Sequence, residues 1–221
     1  MVFLCDFDGT ITKVDVVDTF LEVFADREYL DVEERWLKGE ISSLDCLSQQ
    51  VSLVKDIDKE KIDYFLESVE IDEHFKDFVE FVKTFNGKVF IISDGFRYFI
   101  EKILDKHGIK VDLILSNELI FTEEGLKVEF PYYYPFCSAK MGNCKCKFYE
   151  KNIHHEKLYY IGDGRSDFCV ATKVEKVFAK GKLYEYLKSI GKNVYKFENF
   201  KDIIKNLQEE IKNDGKRTFR T

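Results

Sequence analysis

Three short apolar runs in this chain each end in a cluster of aspartate and glycine. The runs cover residues 2–7, 88–93 and 158–161, and the clusters read DFDGT, SDG and GDGRSD. A short apolar run that stops at a turn signal is typical of a strand buried on both faces of a parallel sheet. Helical patterns separate the later runs, so the sequence predicts an α/β fold with a doubly wound parallel sheet.

One long helical stretch interrupts this alternation. Residues 13–70 show apolar residues at helical spacing and contain no strand-like run. We therefore predict a small helical cap inserted after the first core strand, with the core formed by residues 1–12 and 71–221. In the core we expect helices over 72–85, 96–107, 166–173 and 200–212, and a further helix that begins at about residue 147. We also expect strands at 112–116 and 177–179 and a hairpin over 119–130.

Charge and hydropathy exclude several classes of function. The 221 residues carry a formal charge of −7 and have a pI of about 5.3, which argues against a general affinity for nucleic acid or anionic membrane. No apolar stretch is long enough to span a bilayer, and the first residues do not resemble a secretory signal. We expect a cytoplasmic protein with reduced cysteines, whose partner is a small molecule.

Four aspartates make the predicted strand ends a candidate metal site. Asp6 and Asp8 lie two apart, and Asp163 and Asp167 follow a later strand. In an open α/β sheet the carboxyl ends of the strands form the ligand crevice. Clustered carboxylates repel each other unless a cation or proton intervenes, and hard oxygen ligands favour Mg²⁺. Each cluster alone could be turn chemistry, and for SDG taken alone that interpretation is the stronger one.

Together these features resemble the haloacid dehalogenase (HAD) superfamily of phosphatases. The resemblance rests on DFDGT, Ser93, Lys147 and GDGRSD, which match the four motifs of that superfamily in order and spacing. The insertion after the first motif resembles the helical cap of the phosphoserine phosphatase branch. The resemblance implies a HAD-like Rossmannoid core and a Mg²⁺-dependent phosphatase that forms an aspartyl-phosphate.

The same resemblance implies a role for each motif residue. Asp6 would be the nucleophile, and Asp8 would protonate the leaving group and then activate water. The Asp6 carboxylate, the Asp8 carbonyl and Asp163 would hold Mg²⁺, with Asp167 supporting them directly or through water.

Three further positions would bind the phosphate. Ser93 and the N–H groups near Gly95 would hydrogen-bond its oxygens, and Lys147 would offset its charge. Taken alone, Lys147 is better interpreted as a solvated surface residue, and only its position between the second and fourth motifs favours a role in catalysis.

Three cysteines in one loop suggest a second kind of site. Cys137, Cys144 and Cys146 have a spacing that suggests zinc, but a fourth ligand is missing and no histidine follows closely. A cysteine-bearing loop before the lysine also resembles that of the methionine-salvage phosphatases and of the phosphoethanolamine or phosphocholine phosphatases. We therefore favour a family loop near the active site over an independent metal centre.

The substrate is predicted from departures from the phosphoserine phosphatase pattern. Asp15 occupies the position of an acidic residue that meets the substrate amine there, whereas Gln50 replaces an arginine that meets its carboxylate. The expected substrate is the methionine-salvage enol-phosphate. Phosphoethanolamine or phosphocholine comes second, and phosphoserine is a poorer alternative.

Two other functions share the same chemistry. A non-catalytic regulatory domain can be phosphorylated on an aspartate at a strand end, but it needs neither Asp8 nor a helical insertion. A phosphotransferase would pass the phosphoryl group to a second alcohol in place of water, and the sequence does not distinguish it from a hydrolase.

Overall fold

The protein is described by a computed structural model that covers residues 1–137, 140–152 and 157–218. Its centre is a seven-stranded sheet in the order β4-β3-β2-β1-β5-β6-β7. The strands are β1 Val2–Cys5, β2 Lys88–Phe96, β3 Leu113–Thr122, β4 Gly125–Glu129, β5 Leu158–Gly162, β6 Lys176–Ala179 and β7 Tyr195–Lys196. All pairs are parallel except β3 with β4. The predicted α/β class is confirmed.

Helices pack on both faces of this sheet. They are α1 Val16–Phe24, α2 Tyr29–Leu37, α3 Ser43–Ser52, α4 Lys59–Ser68, α5 Phe75–Thr84, α6 Arg97–Lys106, α7 Lys145–Asn152, α8 Phe168–Lys173, α9 Gly181–Ser189 and α10 Phe200–Thr218. None of the described helices combines the length and apolar character that crossing a bilayer requires.

Strand β1 is the fourth of the seven strands in the sheet, and every one of its side chains is buried. Phe3 belongs to the hydrophobic cluster on one face, where it stacks on Tyr159 with ring centroids 4.8 Å apart. Leu4 belongs to the cluster on the opposite face, as strand alternation requires. The chain continues from β1 to β2 on one side, whereas β5 pairs on the other. A ligand crevice is therefore expected at the carboxyl end of β1.

The inserted segment contains α1 to α4. An antiparallel bridge between Thr12 and Ile71 joins its two ends. Phe20 of α1 contacts Phe99 of α6 with ring centroids 5.1 Å apart, so the inserted helices share the core of the sheet. On α4, Asp63 accepts hydrogen bonds from side chains of α6. That residues 13–70 form a separate cap stays a prediction.

The hairpin is where it was predicted, with Thr122 opposite Gly125. Two elements, α9 and β7, were not predicted. The helix expected from about residue 147 begins at Lys145, and this shift of two positions changes which lysine reaches the site.

Candidate active site

The clusters that follow the predicted strands meet at one edge of the sheet, although the strand predicted to end at Ser93 runs on to Phe96 with a shift in register after Ile92. Asp6 directly follows β1, and its N–H donates to the carbonyl of Ile161 on β5 over 2.9 Å. Gly9 turns the chain with a φ of +69°, and a Cβ at this position would lie 2.8 Å from Oδ2 of Asp163. A side chain there would therefore be strained and would also push Asp163 away.

Three carboxylates form a candidate divalent cation site. Asp6, Asp163 and Asp167 each offer an oxygen, and these oxygens lie within 4.8 Å of one another. Burial raises the pKa of Asp6 well above its ordinary value, the charge of Asp167 raises it further, and Lys145 opposes both effects. Burial also raises the pKa of Asp163 to about 6. A bound cation would relieve this repulsion.

Lys145 is the lysine that reaches these carboxylates. Its Nζ lies 2.8 Å from Oδ1 of Asp6 and 2.6 Å from Oδ1 of Asp167, and its side chain is only 3% exposed. The prediction of Lys147 is corrected by two positions, because the Lys147 ammonium lies 4.2 Å above the ring of Tyr134. Residues two apart on a helix point to different faces, so only one of the two lysines can face Asp6.

Asp167 supports the site from behind. Its Oδ2 accepts the N–H groups of Asp163 and Gly164 over 3.0 and 3.1 Å. Its Oδ1 accepts the Tyr160 hydroxyl over 2.5 Å in addition to Lys145. Although burial opposes its charge, Lys145 and these hydrogen bonds hold the pKa of Asp167 below its ordinary value. Asp167 therefore fixes both the loop that carries Asp163 and the lysine.

Asp8 is held in place by two donors. The N–H of Val16, at the start of α1, donates to its Oδ1 over 3.1 Å, and the Ser93 hydroxyl donates to its Oδ2 over 3.0 Å. Burial, followed by the charge of Asp15, raises the pKa of Asp8 to about 8. A carboxyl group with this pKa is mostly protonated at neutral pH, as a general acid must be.

Ser93 and Gly95 lie beside Asp8. The N–H of Gly95 donates to the Ser93 hydroxyl over 2.8 Å, and Ser93 is fully buried. A Cβ on Gly95 would collide with the Asp8 carboxylate, so the close approach of this side chain to the Gly95 backbone requires glycine here.

Two buried polar residues of the site were not predicted. The Thr10 hydroxyl donates to Oδ1 of Asp163 over 2.5 Å. Asn143 donates to the carbonyls of Ser93 and Leu115 over 2.9 and 2.8 Å. Thr10 belongs to the DFDGT motif and could have been found from it. Asn143 lies in an irregular segment that gives no such signal.

Two contacts join the inserted helices to the loops of the site. The Ser43 hydroxyl of α3 donates over 3.0 Å to Oδ2 of Asp94, which follows Ser93. The guanidinium of Arg165, in the GDGRSD loop, lies 5.7 Å from the ring centre of Trp36 on α2. The inserted helices therefore contact both sides of the site.

The two residues used to predict the substrate lie in different environments. Asp15 is exposed at the start of α1, where its carboxylate accepts the N–H of Asp18 over 2.9 Å. Gln50 is buried within the inserted helices, and its amide donates to Glu33 over 2.9 Å. Binding of a substrate carboxylate at this position would need a cation. The position instead holds the Gln50 amide beside the Glu33 carboxylate.

Comparison with known proteins decides the family. Residues 3–172 match the haloacid dehalogenase-like hydrolase family. The chain belongs to this family. A 2-hydroxy-3-keto-5-methylthiopentenyl-1-phosphate phosphatase of Bacillus cereus is 31% identical over 211 residues, which cover 94% of each chain. The Bacillus pumilus protein of the same name is 32% identical over 202 residues, 90% of this chain and 87% of the relative.

Solved structures of phosphoserine phosphatases share the haloacid dehalogenase-like fold. A substrate-bound complex superposes with a TM-score of 0.71 at 22% identity and covers 93% of this chain and 97% of the other. The enzyme from T. onnurineus gives a TM-score of 0.65 at 20% identity and covers 92% of both chains. The prediction of a phosphatase of this family is confirmed, with a fold like that of its phosphoserine phosphatases.

Proposed function

We propose that this chain hydrolyses a small phosphomonoester through an aspartyl-phosphate formed on Asp6. The observation that carries the proposal is the position of Asp6, which lies at the end of the central strand between Lys145 and two further carboxylates. Named phosphatases related over almost the whole chain support the same reaction.

In the first step Asp6 attacks phosphorus. Lys145 holds one oxygen of Asp6 at 2.8 Å, and the other oxygen forms the new bond to phosphorus while the bond to the leaving alcohol breaks. Asp8 gives its proton to the leaving oxygen, so that an alcohol departs rather than an alkoxide. The raised pKa of Asp8, about 8, supports this role because the proton is present at neutral pH.

In the second step water releases the phosphate. Asp8, now ionised, takes a proton from a water molecule as this water attacks phosphorus. The bond between phosphorus and Asp6 breaks, which regenerates the Asp6 carboxylate and the protonated Asp8. The bonds from Ser93 and Val16 to the two oxygens of Asp8 support a fixed position for it in both steps.

The phosphoryl group needs positive charge and N–H donors around it. Lys145 supplies a buried cation beside Asp6, and Ser93 with the N–H groups near Gly95 forms the opposite side of the cradle. Catalysis of phosphoryl transfer depends mainly on such positioning and charge stabilisation. We assign to Lys145 the role that was predicted for Lys147.

The carboxylate cluster fits Mg²⁺. Three carboxylates face one lysine, which leaves two negative charges uncompensated when all are ionised. We propose that the Asp6 and Asp163 carboxylates and the Asp8 carbonyl hold the ion, with Asp167 behind them. When bound, the ion neutralises charge on the phosphoryl oxygens.

We propose the methylthio enol-phosphate of the Bacillus relatives as substrate. Phosphoserine fits the inserted helices poorly, because its carboxylate would face Gln50 and the Glu33 carboxylate that this amide binds. Two neighbouring carboxylates repel each other, and an amide does not replace the paired hydrogen bonds of arginine.

A kinetic screen tests the function. The purified protein is assayed for phosphate release from this enol-phosphate, phosphoethanolamine, phosphocholine and phosphoserine, with Mg²⁺, with Ca²⁺ and after EDTA. We expect the highest kcat/KM for the enol-phosphate, activity that EDTA abolishes and Mg²⁺ restores, and poor support by Ca²⁺, which prefers more ligands. A higher kcat/KM for phosphoserine would reject the substrate, and full activity after chelation would reject the metal.

A further inference from the structure

Four cysteines belong to, or pack against, the same hydrophobic cluster. Cys137 and Cys144 precede α7, Cys146 is the second residue of α7, and Cys169 is the second residue of α8. The sulfur atoms of Cys146 and Cys169 are 2.7 Å apart, although both residues are free thiols. Two thiols far apart in sequence are thus in direct contact beside the active site.

The contact is fixed by the packing of the two helices around it. Lys173 of α8 forms an ion pair with Glu150 of α7 over 2.5 Å, and the Tyr149 hydroxyl donates to the Lys173 carbonyl over 3.4 Å. Burial raises the pKa of the Cys146 thiol, whereas the positive charge of Lys173 opposes this rise. Cys169 is partly exposed, so a soluble reagent reaches it first.

A metal centre fits these sulfurs less well. Cys169 supplies the fourth ligand that the sequence lacked, but four sulfurs around zinc must all lie within about 4 Å of one another, because each Zn–S bond is about 2.3 Å. Among the described residues, the group of three or more metal-binding side chains with atoms within 4.8 Å of one another is Asp6, Asp163 and Asp167. No three of the cysteines meet that distance, so their sulfurs are not arranged around one metal ion.

We propose that Cys146 and Cys169 are a site of reversible disulfide formation with small-molecule disulfides. The Cys169 thiolate attacks one sulfur of the small disulfide, forming a mixed disulfide and releasing one small thiolate. The Cys146 thiol then gives up its proton as its sulfur attacks the Cys169 sulfur, and the second small thiolate leaves. The two protons lost by the cysteines end on the two released thiols, so two protein thiols are oxidised and one small disulfide is reduced.

This disulfide would lock the support of the active site. Cys146 follows Lys145, and Cys169 lies two residues after Asp167, whose carboxylate binds Lys145 over 2.6 Å. The two sulfurs are already in contact, so forming a bond of about 2.05 Å requires little movement. We therefore expect the bond to preserve the pairing of Lys145 with Asp167 and to tie α7 to α8 without loss of activity.

The test uses the full-length protein with oxidised glutathione. After incubation, free thiols are alkylated and the peptides are mapped by mass spectrometry. We expect two of the six thiols to be lost, a linked peptide pair containing Cys146 and Cys169, and recovery of both thiols with dithiothreitol. The melting temperature should rise by roughly 5 °C because the cross-link constrains the unfolded chain.

Single serine variants complete the test. Cys146→Ser and Cys169→Ser should each lose the linked pair and the rise in melting temperature, whereas Cys137→Ser should keep both. A link between Cys137 and Cys144, a stable mixed disulfide on Cys169, or stoichiometric zinc that protects the thiols would each overturn the proposal. The wild-type peptide map decides alone if a variant does not fold.

Discussion

The ammonium group of Lys145 lies 2.8 Å from Oδ1 of Asp6, and both side chains are almost completely buried. Asp167 binds the same ammonium group over 2.6 Å. Burial and the charge of Asp167 both raise the pKa of Asp6, and Lys145 opposes them. We therefore propose two roles for Lys145: it keeps the proposed nucleophile closer to its ionised form, and it places a positive charge beside the phosphoryl group.

Lys145 and Lys147 offer a matched pair of variants. We expect Lys145→Met to lower kcat/KM by at least about 100-fold, the effect of losing one charge-stabilising group from an active site. Lys147→Met should change kcat/KM by less than about 2-fold, since it loses only a contact with the Tyr134 ring. Steady-state kinetics at saturating Mg²⁺ measure both, and the reverse order of effects would return the catalytic role to Lys147.

Asp6→Asn tests the proposed nucleophile. The amide has nearly the same size as the carboxylate but cannot form the acyl phosphate, so we expect no turnover above the uncatalysed rate. The melting temperature should stay close to that of the wild type, because neutralising Asp6 also removes its repulsion with Asp167. The control is mass spectrometry of the variant to exclude deamidation. If no deamidation is found, activity above a few per cent of the wild-type value contradicts the assignment.

The fold was predictable where apolar runs and turn signals coincide. Strand β1 is buried on both faces, and its apolar run predicted this directly. The hairpin between β3 and β4 was evident from the Thr122 to Gly125 turn. In contrast, β7 has only two residues, both exposed, so no apolar pattern marks it. It exists because the parallel edge of β6 is available for pairing.

The site was predictable as far as its residues lie at strand ends. Asp6 and Asp163 directly follow β1 and β5, and Ser93 lies within the last residues of β2, so the sheet itself brings these three residues together. Lys145 was missed because its position depends on where α7 begins, and helix ends are poorly marked in a segment without apolar periodicity. Cys169 was not connected with the other cysteines, since their proximity arises from the packing of α7 on α8.

Variants of Ser43 and Ser42 separate the contact of α3 with the site from the stability of α3 itself. Ser43 bonds to Asp94 at the end of β2 over 3.0 Å, so we expect Ser43→Ala to raise KM by about 5-fold, the value of one hydrogen bond. Ser42 instead accepts the N–H of Asp45 over 3.0 Å as the N-cap of α3. Ser42→Ala should destabilise the protein by about 1 kcal/mol and leave KM unchanged. Kinetics and thermal melting of both variants test this. An equal rise in KM in the two variants would show that Ser43 affects KM only through the stability of α3.

Glu210 should make stability depend on pH. Its Oε1 accepts the Tyr159 hydroxyl over 2.9 Å and is paired with Lys157 and Lys176. Although burial opposes the charge, these partners hold the pKa of Glu210 below its ordinary value of 4.5.

A carboxyl group whose pKa is lower in the folded state than in the unfolded state stabilises the protein at pH values above the ordinary pKa. This stabilisation is lost as pH falls through the folded-state pKa. We therefore expect Glu210→Gln to lower the free energy of unfolding by about 1 kcal/mol at neutral pH, and the difference from the wild type should vanish as pH falls below the ordinary value and through the folded-state pKa. Denaturant unfolding across this range measures it, and Glu209→Gln, on the exposed side of α10, is the control that should have no effect. A difference between wild type and Glu210→Gln that stayed constant with pH would mean that the variant acts through packing rather than through charge.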